Sequence, residues 1–337
     1  MELLDFLSNP LNYPEKSRSL KIVQTHISFI FILDEYVYKI KKPVNFGFLD
    51  FTSLEKRKYF CFKEIEVNKK LAKNIYIGVF PISKINDGYE FSDKNPVEYA
   101  VKMKKLPEEL IFSNLIKKGV KQQDLIRISL KIASFHNEAE VNDEILSMGE
   151  IEKIKVNTDE NFEQTEKYKG ITISPRDHEF IKKNVNKFYE KYGKIFKERI
   201  ENRKIKDCHG DLRMEHICVL RDDIVIFDAI EFNERFRYHD ILNDFAFLMM
   251  EMDYEGYKKE KEIIEREWFK ICEKEIKEEV IKLYYFYLSY RSFVRGKVTS
   301  FLLQDPYINY EEKEKIKNRA KKFFELSKEY IEKLINF

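Results

Sequence analysis

Apolar and polar positions alternate early in the chain. Ile27, Phe29, Phe31 and Leu33 fall on every second residue, Asp34-Glu35 supplies a turn, and 36–42 returns. That pattern predicts a β-hairpin over 26–42. On the return strand Val37, Lys39 and Lys41 share one face, and Tyr36, Tyr38 and Ile40 share the other. A helix is predicted over 51–71, capped by Thr52 or Ser53, with Leu54, Tyr59, Phe62, Ile65 and Leu71 on its apolar side. Strands near 76–84 and 98–105, turning through Asn86-Asp87-Gly88, complete a small antiparallel sheet.

Past Leu106-Pro107 the pattern takes on a helical period. Residues 122–139 form an amphipathic helix ending in Ser134-Phe135-His136, where His136 reads as a core or capping residue. The Lys- and Glu-rich stretch 175–204 reads as a solvated outer helix, and 140–174 as loop or short helices. Helices follow at 240–250, 283–301 and 310–336. Two short apolar runs, 217–220 and 224–227, break the helical series and turn at Arg221-Asp222-Asp223. The expected class is α+β: a first lobe of antiparallel sheet plus helix over 1–105, and a mostly helical second lobe over 106–337.

Composition narrows the partners. The chain has 337 residues, 43% hydrophobic and 15% aromatic, enough for a sizeable core in two domains or lobes. Lys and Arg number 61 against 59 Asp and Glu, and the net charge of +2 gives no electrostatic case for a nucleic-acid or membrane surface. The four cysteines, Cys61, Cys208, Cys218 and Cys272, have no metal-type spacing and read as core thiols. The first residues lack the basic start and apolar run of a signal peptide, and no run reaches the ~20 residues of a membrane span. The expectation is a soluble cytoplasmic protein; oligomeric state is not legible.

Candidate chemistry concentrates at His209-Gly210-Asp211, followed by His216, the 217–227 hairpin and Asp228. A loop that turns back into a strand can bring residues 211 and 216 to one cavity, and a tight hairpin can return Asp228 beside them. An Asp in a loop, a ligand-type side chain five residues on and a second Asp after a hairpin is the layout of phosphoryl transfer. Val37-Tyr38-Lys39 fits a strand lysine aimed at phosphates, with Lys41 as runner-up on the same face. Glu64, on the 51–71 helix, lies in the interval expected for that lysine's carboxylate partner. Solvated edge-strand lysines and a surface carboxylate are the plain alternatives for these three. No G-x-G-x-x-G or G-x-x-x-x-G-K-[ST] motif occurs; the stretch where a phosphate-covering loop would lie is Thr25-His26-Ile27-Ser28.

These blocks, with YVYKIKKPVNFGFLDF at 36–51, EIEVNKKL at 64–71, FDAIEFN at 227–233 and DILNDFAF at 240–247, resemble the aminoglycoside phosphotransferase-like kinases over most of 20–300. The nearer likeness is to members of that family whose substrates are unknown. The resemblance implies a bilobal protein-kinase-like fold and a kinase that uses ATP or GTP with Mg²⁺. Asp211 would accept or orient the proton of a hydroxyl on a small acceptor. Lys39, anchored by Glu64, would neutralise phosphates, and Asp228 would chelate the metal. His209 would steady its loop, and an Asp at the start of the 240–250 helix, assigned to Asp244, would brace the same loop. Residues 101–106, with Met103, would form the hinge that meets the base. His216 departs from the family's Asn, and three readings stand: it binds a metal through its neutral nitrogen, where imidazole suits Mn²⁺ or Zn²⁺ better than Mg²⁺; it donates to phosphate; or it marks degraded metal handling. Two alternatives stay open. One is a pseudokinase-type module that binds nucleotide without transfer. The other is a metal phosphohydrolase built on His239-Asp240, which needs ligands on helices of an all-α domain.

Overall fold

The computed structural model describes residues 2–86, 88–273, 275–306 and 308–337. The chain divides into two compact units, 1–119 with 215–234, and 120–214 with 235–337. The expected division at 105/106 falls inside the first unit.

The first unit begins with a short helix, α1 (Leu3–Leu7), and then strands β1 (Lys21–Gln24), β2 (Ser28–Ile32) and β3 (Tyr36–Lys41). Helix α2 (Leu54–Asn68) follows, then β4 (Tyr76–Ile85), β5 (Gly88–Phe91), β6 (Pro96–Lys104) and the short α3 (Phe112–Leu115). The six strands form one antiparallel sheet in the order β1-β2-β3-β6-β4-β5. β5 was not foreseen: the turn expected between β4 and β6 leads into it instead, and Asp87 of that turn lies outside the described residues.

Strand parity divides the core of this unit. Tyr38, Ile40, Phe31, Ile82 and Ala100 pack on one face with Phe6, Leu7 and Tyr13. Tyr99 and Val101 look to the other face, where Cys61 and Ile65 of α2 cover them. Lys39 pairs with Val101 across the sheet and so shares the α2 face. β3 is interior, and Lys39 and Lys41 are both buried rather than solvated.

Ser53 caps α2 by accepting the Lys56 amide. The expected apolar stripe of α2 is corrected: Tyr59 and Phe62 are exposed. The inward face instead carries Arg57, Cys61, Glu64 and Asn68, spaced at four, three and four residues. Polar residues occupy it because each has a buried partner. Arg57 Nε lies 3.0 and 2.9 Å from the two Glu98 oxygens, and its Nη1 donates to the carbonyls of Phe51 and Thr52. This ion pair, in which one Nε–H is shared between the two carboxylate oxygens, ties α2 to β6.

The second unit opens with α4 (Gln122–Glu138), α5 (Asp143–Ser147), α6 (Ile151–Thr165), α7 (Pro175–Glu201) and strand β7 (Ile205–Asp207). The 140–174 stretch is thus more regular than expected, with a 15-residue helix. α7 is not simply an outer helix: His178, Ile181, Val185, Phe188 and Phe196 bury one face, and only the other is solvated. The chain then contributes the hairpin β8 (Ile217–Val219) and β9 (Ile224–Ile226) to the first unit. Strand β10 (Tyr238–Asp240) pairs with β7, and α8 (Ile241–Glu255), α9 (Lys258–Cys272), α10 (Glu278–Phe301) and α11 (Tyr310–Ile335) complete the second unit. Asp240 caps α8 by accepting the Leu242 amide and also takes a bidentate contact from Arg199, at 2.8 and 2.6 Å. All four cysteines are buried and unpaired. Among the described residues no helix is long and apolar enough to cross a membrane.

Candidate active site

In the first unit, two lysines and three carboxylates form one network, buried except at Asp228, whose side chain is partly exposed. Lys39 Nζ lies 2.6 Å from Asp228 Oδ1 and 3.0 Å from Glu64 Oε1. The contact to Glu64 is ionic, too oblique for a directed hydrogen bond. Lys41 Nζ donates to Glu64 Oε2 at 2.7 Å and to Glu231. Glu64 therefore serves both lysines, one through each oxygen. The spacing behind this is simple: 39 and 41 share a strand face, and a helix carboxylate above them spans both. Glu66 is exposed, as its place on the opposite side of α2 requires.

Burial alone would push the Lys39 amine down, but Asp228, Glu64 and Glu231 outweigh it and hold it well above its ordinary value. Burial likewise works against the Glu64 carboxylate, and the two lysines overcome it and hold it low. Glu231 goes the other way. Burial and the neighbouring Glu64 push its carboxyl up against the pull of Lys41. Two cations face three carboxylates here, and of the two buried glutamates Glu231 takes a proton more readily than Glu64.

Asp228 follows β9 with φ +62, a left-handed conformation uncommon outside glycine. Its amide donates to Tyr76 Oη at 3.1 Å, and the Ala229 amide donates to Asn68 Oδ1 at 2.8 Å. Tyr76 and Asn68 thus hold the strained turn that aims the Asp228 side chain. Neither they nor Glu231 were assigned a role from sequence. For Asn68 a signal existed: it lies four residues past Glu64, at the next inward position of α2.

His216 Nε2 lies 3.7 Å from Asp228 Oδ2. Two ligands about 2.1 Å from one octahedral ion stand about 3 Å apart at a right angle and about 4.2 Å apart when opposed. The pair therefore fits a single divalent cation, with one hard oxygen and one imidazole nitrogen as donors. Met103 lies inside β6, opposite Val37 on one side and Tyr76 on the other. Of the expected hinge, only the part past Lys104 is free of the strand ladder, and the Lys105 amide is already taken by the Glu35 carbonyl at 2.8 Å.

Asp211 belongs to the second unit. Its loop is braced from α8: Asp244 accepts the His209 amide at 3.1 Å and the Gly210 amide at 2.9 Å. Gly210 has φ +86, a conformation glycine adopts without a Cβ penalty. The Asp211 amide donates to His209 Nδ1 at 3.3 Å, and Arg291 donates to the Gly210 carbonyl at 3.3 Å. His136 is a core residue, as expected. Trp268 donates to its Nδ1 at 3.0 Å, which leaves Nε2 as the donor to Asp244 at 3.1 Å. His136, Cys208 and Asp244 lie close enough to hold a metal, but both ring nitrogens of His136 are already bonded. Burial would raise the Asp244 carboxyl, yet His136 and the other nearby imidazoles hold it well below the usual carboxylate range.

No family model matches the sequence. An uncharacterized protein of Mycobacterium tuberculosis is 26% identical over 240 residues, covering 71% of this chain and 47% of its own length. The chain thus spans about half the length of the curated relatives it matches. A choline/ethanolamine kinase family protein from Mesorhizobium loti superposes with a TM-score of 0.54 at 13% identity, over 98% of this chain and 99% of that one. The GDP complex of aminoglycoside 2′-phosphotransferase-IIIa superposes with a TM-score of 0.56 at 13% identity, over 95% and 99%. The chain has the protein-kinase-like fold that these proteins share, and the resemblance read from its sequence holds at the level of fold.

Proposed function

We propose that this protein is a phosphotransferase that moves the terminal phosphoryl group of ATP or GTP to a hydroxyl of a small molecule. The observation that carries the reading is the buried Lys39–Glu64 pair held against Asp228 and His216. A lysine fixed above its ordinary value stays protonated at any physiological pH and is suited to triphosphate oxygens. Asp228 and His216 would hold Mg²⁺ or Mn²⁺, which would neutralise phosphate charge during transfer. Asp211 would orient the acceptor hydroxyl and take its proton; alignment matters more than basicity because the transition state is loose. The loop bracing by Asp244, His209 and Arg291 serves that alignment. Placing the base against 101–106, Met103 included, rests on the resemblance alone. Nucleotide and a small hydroxylated acceptor are the proposed partners.

The His239-Asp240 alternative loses its support, because His239 lies on strand β10 and the chain carries a six-stranded sheet. Incubation of the protein with nucleoside triphosphate, Mg²⁺ or Mn²⁺ and a pool of hydroxylated metabolites tests the reading. A phosphorylated product that disappears in Asp211→Asn supports transfer. Tight nucleotide binding with no product from any pool supports the non-transferring module instead.

A further inference from the structure

The charges around Asp211 bear on the acceptor. Arg213 Nη1 lies 3.7 Å from Asp211 Oδ2, and Arg213 Nε lies 3.4 Å from Glu251 Oε1. Glu251 also accepts the Met214 amide at 2.7 Å, so its carboxylate is shared. α10 brings two more arginines to this region. Arg291 reaches the Gly210 carbonyl, and Arg295 lies four residues on, on the same helix face. Arg295 stands over the Phe323 ring, 5.6 Å from its centre, and Arg319 stands over the same ring at 6.0 Å.

Arg295 is partly buried, and its surroundings differ from those of the arginines in the core: buried Arg291 gives its protons to the Asn243 and Gly210 carbonyls and to His239. Arg57, Arg199 and Arg237 each hold a carboxylate at 2.6–2.9 Å. Among the described residues, no carboxylate lies within ion-pair distance of Arg295. Its side chain is partly covered by protein and partly open to solvent. Burial first, and then the field of Arg213, hold this group down at about 10, against the opposing pull of Asp211 and Glu251. It is still charged at neutral pH. A partly buried guanidinium that rests on an aromatic ring with no carboxylate beside it keeps its hydrogen-bond donors available, and an oxyanion is the ligand that best uses them.

We infer that Arg295 is a specificity-determining residue that receives a carboxylate or phosphate group of the acceptor, so that the substrate class is an anionic hydroxyl compound rather than an amino-substituted one. The inference rests on the kinase reading above. A guanidinium fork matches either oxyanion with two parallel hydrogen bonds, and neither a neutral polyol nor an ammonium group replaces them.

Four probes of similar size separate the possibilities: glycerate, glycerophosphate, glycerol and ethanolamine. With nucleotide and metal supplied, glycerate or glycerophosphate is expected to exceed the other two in kcat/KM by about tenfold or more. The better of the two identifies the oxyanion. Arg295→Gln is expected to raise KM for that probe about tenfold, with kcat and the ATP dissociation constant nearly unchanged. A purely packing role on Phe323 would lower the melting temperature and leave the ranking of probes as it was. Preference for ethanolamine, or an equal effect of Arg295→Gln on all four probes, overturns the inference while leaving the kinase reading in place. If no probe is phosphorylated, calorimetric binding of glycerate and glycerophosphate decides. Binding lost in Arg295→Gln upholds the anion site and counts against transfer, and absence of binding overturns the site. Should Arg295→Gln not fold, the wild-type ranking decides alone.

Discussion

Lys39 and Asp228, 189 residues apart in sequence, form a direct ion pair of 2.6 Å. The pair joins a strand of the sheet to the turn after β9, and it bears on metal binding, because a cation on Asp228 must compete with the lysine for the same carboxylate. Asp228→Asn is expected to weaken Mn²⁺ binding to the nucleotide-loaded protein about tenfold or more, as read by electron paramagnetic resonance. Unchanged Mn²⁺ affinity would place the metal elsewhere.

The shared carboxylate makes a stability prediction. Glu64→Gln removes the partner that both lysines share and leaves each with one carboxylate, Asp228 for Lys39 and Glu231 for Lys41, a change expected to cost about 1–3 kcal/mol. Lys41→Met leaves the buried Glu231 without its cation. The pair replacement Lys41→Met with Glu231→Leu should then cost less than Lys41→Met alone. Urea denaturation checks this; strict additivity would mean that the second ion pair is not coupled.

His216 is the residue that departs from the expected oxygen donor. His216→Asn should shift the preferred metal toward Mg²⁺, because the amide oxygen is a harder ligand than imidazole. The readout is the ratio of Mg²⁺ to Mn²⁺ dissociation constants in the presence of a non-hydrolysable nucleotide. A ratio equal to that of wild type would remove His216 from the metal.

His239 makes a prediction about pH. Burial, and then the adjacent Arg291, push its imidazole down to about 4. Arg291 donates to its Nε2 at 3.1 Å and its Nδ1 donates to the Asp240 carbonyl at 3.0 Å, which fixes the neutral tautomer. The unfolded chain takes up this proton near 6.5, so between about 6.5 and 4 the unfolded state binds more protons and stability falls as pH falls. The loss approaches ~3 kcal/mol at the bottom of that window. His239→Gln should flatten the stability profile over the window, measured by denaturant midpoints. An unaltered slope would show that His239 is not buried as the neutral form.

Much of the scaffold was legible because local patterns decide it. The 26–42 hairpin, the α2 cap at Ser53, the 217–227 hairpin and Asp244 beneath the His209-Gly210 turn all follow from spacing or from the motif they belong to. The apolar face of α2 was misjudged for a physical reason. Its inward positions hold Arg57, Glu64 and Asn68, whose burial depends on partners at Glu98, Lys39, Lys41 and Ala229, and sequence spacing does not reveal such long-range pairings. Glu231 was invisible for the same reason, and α7 because its charged face masked the period of His178, Ile181, Val185 and Phe188.

The central claim is that the Lys39 network holds a triphosphate. Calorimetric titration of ATP with Mg²⁺ into wild type, Lys39→Met and Lys41→Met tests it most directly. The account predicts that Lys39→Met raises the ATP dissociation constant about tenfold or more, whereas Lys41→Met lowers thermal stability with a smaller change in affinity. Equal ATP affinity in folded Lys39→Met and wild type would contradict it.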